Sequence, residues 1–219
     1  MEHGDPFVFC TERRLVALTG LKARTLAELV THLYQVSGSS IFYHTHQQFL
    51  SHHFERHVFT NDFACWVSRA LLEERLAERL AAIDLLSFTT IRQLREEIVR
   101  VIESHLRESP GRQRECPLGD EFHFCKSKSF IMRTGVVVRN IEEFAAGLAR
   151  VSNTSVFFHF IEARLRLERP TNDFSAWLHA AGEEEAAAAI DALDPYLMTL
   201  DELKAEIVRA ARRHRRRQP

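Results

Sequence analysis

The chain has 219 residues, 45% of them hydrophobic, with 29 basic against 30 acidic side chains. That apolar share is ordinary for a globular protein and is enough for a sizeable core. The near-zero net charge provides no whole-molecule field for nucleic acid or a membrane surface. No glycine-rich phosphate loop, GxSxG elbow or cysteine–histidine nucleophile pattern is present, which disfavours an enzyme.

Taken in chain order, Met1 to Pro6 has neither a basic start nor an apolar core, so no secretory signal is visible. No apolar run approaches the roughly 18 residues that a membrane span needs. Cys10, Cys65, Cys116 and Cys125 show no CxxC spacing, and reduced thiols fit a soluble, bacterial-type cytoplasmic protein. Phe7-Val8-Phe9 alternates over a short extended stretch. Thr25-Leu26-Ala27-Glu28 is a capping box, and Leu26, Leu29, Val30, Leu33 and Val36 place one apolar stripe on the helix behind it. Ile41, Phe42, Thr45, Phe49 and Leu50 mark a second helix. Phe63, Trp66, Val67, Ala70 and Leu71 mark a third, capped around Thr60 to Asp62. Thr90-Ile91-Arg92-Gln93 starts a fourth, carrying Leu94, Ile98 and Ile102.

The same order then recurs. Phe7-Val8-Phe9-Cys10 returns as Phe122-His123-Phe124-Cys125, and Ser40-Ile41-Phe42-Tyr43-His44 as Ser155-Val156-Phe157-Phe158-His159. Thr60-Asn61-Asp62-Phe63 with Trp66 returns as Thr171-Asn172-Asp173-Phe174 with Trp177, and Glu97-Ile98-Val99-Arg100 as Glu206-Ile207-Val208-Arg209. Capping boxes at Asn140 and Thr199 match those at Thr25 and Thr90. The expected architecture is mainly α: two tandem pseudo-symmetric four-helix units, each with room for a short β-strand at its head. Residues 1–106 form the first helical repeat unit, 107–121 a linker rich in Pro, Gly and charge, and 122–211 the second unit. Residues 212–219 are a basic tail.

Side chains shared by both copies are the first candidate site: Ser40, His44, Asp62, Phe63 and Trp66, with Ser155, His159, Asp173, Phe174 and Trp177. A histidine oriented by an aspartate suits acid–base work. Two copies need one fold but rarely two active sites, so a structural role is the expectation. The histidines of the first copy, His32, His44, His46, His52, His53 and His57, offer a transition metal His46, His53 and His57 on one helical face. Against that, the second copy has Ile161 in place of His46 and no HExxH is present. His159, Glu162 and Arg166 share a face, as an exposed charge pair would. Arg212, Arg213, Arg215, Arg216 and Arg217 suit phosphates. They also suit a helix C-terminus, and no aromatics interleave them.

The aromatic-x-aromatic start, a glycine at Gly20 or Gly135, the Ser-x-Phe-aromatic-His helix and the Asn-Asp-Phe-x-x-Trp helix together resemble a prokaryotic family known only as a domain of unknown function. The resemblance spans Phe7 to Arg209 as two tandem copies, with the linker and basic tail outside it. It implies no activity, substrate or cofactor and marks the shared residues as signature positions only. The reading is a non-catalytic interaction or ligand-binding module with an unidentified protein partner or small ligand and no predicted cofactor. The alternative is a histidine-based metal-binding protein or metal-dependent enzyme. Nucleic-acid binding through the tail ranks third.

Overall fold

Side-chain caps set the helix starts where the sequence repeats itself. Thr25 Oγ1 accepts from the Glu28 amide at 3.2 Å, and Asn140 Oδ1 from the Glu143 amide at 2.8 Å. Thr90 and Thr199 accept from the Gln93 and Glu202 amides, each at 3.2 Å. These bonds satisfy amides that no helical carbonyl reaches. The computed structural model describes residues 5–47, 50, 59–108 and 114–215. In order they form β1 (Phe7–Ala23), α1 (Leu26–Gln35), α2 (Gly38–His46), α3 (Asp62–Leu71), α4 (Glu74–Ala81), α5 (Ile91–Glu108) and β2 (Phe122–Val138). There follow α6 (Ile141–Arg150), α7 (Asn153–Val156), α8 (Ala163–Leu167), α9 (Asp173–Ala180), α10 (Glu184–Asp191) and α11 (Leu200–Arg215). A π-helical stretch, Phe157–Glu162, runs from α7 into α8.

The strands correct the expected fold class. Each is 17 residues long, and they pair as one two-stranded antiparallel sheet beside 59% helix. The fold is thus mixed α and β with helices dominant, not mainly α with short strand heads. Alternate burial is confined to the strand starts, at Phe7 and Phe9 or at Phe122 and Phe124. From Arg13 to Lys22 the side chains are exposed or half-buried on both faces, so no period-two pattern advertises a strand there. The four-helix count is also corrected, because α4 and α10 add a helix to each copy. Neither α4 nor α10 has a side-chain cap, and α10 buries two alanines beside Ile190, which leaves a weak apolar stripe.

The chain packs as two compact units. The first takes residues 14–47, 59–108 and 114–128, and the second 5–13, 50 and 129–215. Each strand therefore gives its two halves to different units. In the first unit Phe122 and Phe124 of β2 lie in the core with Leu29, Leu33, Ile41 and Phe63. In the second unit Phe7 and Phe9 of β1 lie with Phe144, Phe157, Phe160 and Phe174. The aromatic head of each sequence copy thus fills the core built by the helices of the other.

Gly20 and Gly135 adopt φ of 83° and 79°, backbone that only glycine takes without strain. Beside them, Thr19 Oγ1 donates to the Phe124 carbonyl at 2.7 Å, and Thr134 Oγ1 to the Phe9 carbonyl at 2.9 Å. Among the described residues no helix is long and apolar enough to cross a membrane.

Candidate ligand cleft around the histidine and aspartate signature

In the first unit, α2 carries Ser40 and His44 one turn apart, on the side that faces β2. Ser40 Oγ donates to the Cys125 carbonyl at 2.6 Å, and the Cys125 amide donates to His44 Nε2 at 2.9 Å. Both backbone groups of one strand residue are thereby held by two side chains. At the start of α3, Asn61 Oδ1 caps the helix by accepting from the Ala64 amide at 2.9 Å. Asp62, the next residue, is left to accept from His44 Nδ1, 2.8 Å away. Because a backbone amide can only donate, Nε2 must be the acceptor nitrogen, and the ring proton sits on Nδ1, aimed at the carboxylate.

The second unit repeats this bonding. Ser155 Oγ donates to the Cys10 carbonyl at 2.6 Å, and the Cys10 amide donates to His159 Nε2 at 2.8 Å. His159 Nδ1 lies 2.7 Å from Asp173 Oδ2, beside the Asn172 cap on the Ser175 amide. Trp66 Nε1 donates to the Asp120 carbonyl at 2.7 Å, and Trp177 Nε1 to the Asp5 carbonyl at 2.9 Å. Phe63 and Phe174 are fully buried. The geometry gives every shared signature position a bond or a packing place at the junction of strand and helices. Each histidine has both nitrogens engaged, so neither has a lone pair for proton abstraction or metal binding.

The first unit also has an open cleft of about 500 Å³ against this junction. Tyr43, Asp62, Cys65, Trp66, Arg69 and Glu121 line it, with His123 and Cys125 at the strand. Burial pushes the Cys65, Cys125 and Tyr43 acids up, away from their ionised forms. Thiols so placed are weak nucleophiles. The backbone amides of Glu121 and Gly119, then Lys22 and His123, hold the Glu121 carboxyl below its usual range. In the second unit the guanidinium of Arg166 is bonded to Asp173 and lies 4.6 Å from the centre of the Phe158 ring. Asp173 is 13% exposed where Asp62 is 34% exposed.

Of the predicted metal ligands, His46 is buried at 1% exposure and stacks on Phe42 with ring centres 5.0 Å apart. His52, His53 and His57 lie outside the described residues. Among the described residues no group of three or more histidine, cysteine or acidic side chains is placed to hold a metal ion. Arg166, expected to share an exposed face with His159 and Glu162, bonds to Asp173. At the tail Arg212 and Arg213 are exposed on the last turns of α11, and residues 216–219 lie outside the described residues.

Sequence reasoning missed Tyr43, Cys65, Arg69, Glu121 and His123 as cleft residues. Their signal is what the two copies do not share: the corresponding positions hold Phe158, Ala176, Ala180, Pro6 and Val8.

No curated protein matches the sequence. One solved structure, OrfY from Thermoproteus tenax, is 30% identical, with a TM-score of 0.82 over 97% of each chain. A single family model matches residues 4–212 and is described as a family of unknown function, DUF5752. The signature positions of both copies fall inside that one match, and the chain belongs to this family.

Proposed function

We propose that the protein is a non-catalytic ligand-binding module, with the cleft of the first unit as its site. One observation carries the reading: Tyr43, Cys65, Arg69, Glu121 and His123 of the open cleft differ between the copies, while shared residues that line it beside them, His44 and Trp66 among them, are bonded into the fold. A duplicated scaffold that keeps its fastening residues and diverges at one cleft is what binding, rather than duplicated catalysis, requires. The four free cysteines support a cytoplasmic setting.

The test is a chemical-shift survey of the full chain against small fragments that are cationic, neutral and anionic. Shifts clustering at Tyr43, Cys65, Trp66 and Glu121, and lost in Tyr43→Ala, are the expected result. Fragments that bind only elsewhere, or turnover of any of them, would overturn the reading.

A further inference from the structure

We infer that a second cavity of the first unit, between α1 and α5, binds the oxyanion head of a small organic acid or phosphate ester on Arg92 and Arg95. The cavity measures about 420 Å³ and shares no lining residue with the cleft at Tyr43, so the inference stands apart from the proposed function.

The second unit shows what these helices need for the fold alone. There Lys204 on α11 donates to the carbonyl of Val151, the residue after α6, at 2.6 Å. In the first unit Arg95 makes the same bond to the Val36 carbonyl at 2.7 Å, with Nη2 only. A lysine would serve for that bond. Among the described residues the Arg95 guanidinium makes no other, and its Nε is buried without an acceptor. At the head of α11, Asp201 accepts from Asn153 Nδ2 at 2.8 Å. The matching positions of the first unit hold Arg92 and Gly38. That fastening is gone, a guanidinium takes the aspartate's position, and among the described residues it has no partner. The match carries no length difference. Thr90 and Thr199 cap the two helices alike, and Arg100 pairs with Glu97 as Arg209 does with Glu206.

The other charges of the cavity are largely taken up by one another. Arg100 pairs with Glu97, and Glu103 accepts from the Tyr34 hydroxyl at 3.0 Å with Arg107 3.8 Å away. Arg92 and Arg95 then face Glu96 alone, which leaves the cavity positive. The first turn of α5 carries no acid, where α11 has Asp201 and Glu202. A helix start is itself positive, so the arginines stand where cations are disfavoured and a bound anion relieves both. Two guanidinium forks suit the paired oxygens of a carboxylate or a phosphate. The Tyr34 ring, fixed through its hydroxyl, and Val99 supply an apolar wall for the body of the ligand. The second unit has Ala149 at the place of Tyr34.

The experiment follows the arginine Nε–H signals of the isotopically labelled full chain by nuclear magnetic resonance. Phenyl phosphate, benzoate, benzylammonium and benzyl alcohol are titrated in turn, in a buffer without oxyanions. Saturable shifts of the Arg92 and Arg95 signals by phenyl phosphate or benzoate are expected. Affinity should fall about tenfold or more in Arg92→Asp and in Arg95→Lys, with unchanged circular dichroism. Both substitutions install the second unit's residues, and the lysine keeps a donor for Val36. Binding of phenyl phosphate alone identifies a phosphate ester, and of benzoate alone a carboxylate. Anion binding here with nothing at the Tyr43 cleft upholds this site while counting against that one. Shifts that never saturate, equal binding of benzyl alcohol or benzylammonium, anion binding left unchanged by either substitution, or silence from all four probes would overturn it.

Discussion

Ser40 and His44 show at the scale of single residues why a catalytic-looking dyad serves the fold. In a two-stranded sheet each strand keeps an outer row of amides and carbonyls that needs partners. Ser40 and His44 supply them to Cys125. The spacing of serine and histidine was legible as a motif. Its target was not, because a backbone group leaves no mark in the sequence. Ser40→Ala leaves the Cys125 carbonyl without its donor and is expected to lower stability by about 1–3 kcal/mol, read as a shift in the urea midpoint. His46 has a different burden. Burial, then the charge of Arg14, drives its imidazole down to about 3. At pH 7 the ring is neutral whether the chain is folded or not. As pH falls below the ordinary histidine value, the unfolded chain takes up a proton that the folded one refuses, so stability declines toward pH 3. His46→Gln removes this titration and keeps hydrogen-bonding atoms beside Thr45. Between pH 7 and pH 5 it should lose about 2 kcal/mol less than the natural chain. Equal losses in paired urea titrations would place the acid sensitivity elsewhere.

Elements differ in how plainly the sequence announces them, and the difference is physical. The helices α1, α5, α6 and α11 carry both a cap and an apolar stripe, two independent signals that agree. The helices α4 and α10 are short, and Glu73 and Glu183 precede them without a capping bond. The strands are hidden because a ribbon open on both faces has no hydrophobic side to encode. The glycines separate two kinds of constraint. Gly135 has φ of 79° and open space where a Cβ would stand, so Gly135→Ala costs backbone strain alone, about 1–2 kcal/mol. Gly147 sits inside α6, where alanine usually stabilises a helix by about 0.5–1 kcal/mol. Here the added methyl would stand 3.0 Å from Val138 Cγ1 and 3.1 Å from Phe9 Cε2. Overpacking should outweigh the helix gain, and Gly147→Ala is expected to lower the thermal midpoint. A raised midpoint would mean that β1 and β2 yield to α6.

The whole molecule raises the question of which parts can fold alone, and strand exchange gives a specific answer. The repeat was legible in the order of its motifs, and it suggested two consecutive bodies. The structure instead assigns residues 5–13 to the unit holding 129–215, and 122–128 to the unit holding α1 to α5. A sequence repeat cannot reveal this, because Phe7-Val8-Phe9-Cys10 and Phe122-His123-Phe124-Cys125 are similar enough to fill either core. That similarity makes a fragment experiment decisive. Residues 1–108 alone hold the first unit's helices but lack Phe122 and Phe124, both buried in its core. Truncating one such phenylalanine to alanine costs roughly 3–5 kcal/mol, so a monomer without both should not fold. The fragment does keep its own Phe7 and Phe9. Two copies can each donate that strand to the other, since Ser40 and His44 would meet Cys10 where they now hold Cys125. The expected result is a folded homodimer whose unfolding midpoint rises with concentration, with unfolded monomer on dilution. Light scattering coupled to size exclusion, with circular dichroism across a dilution series, reads both states. A stable folded monomer would show that the strand from the other copy is dispensable to the core it occupies.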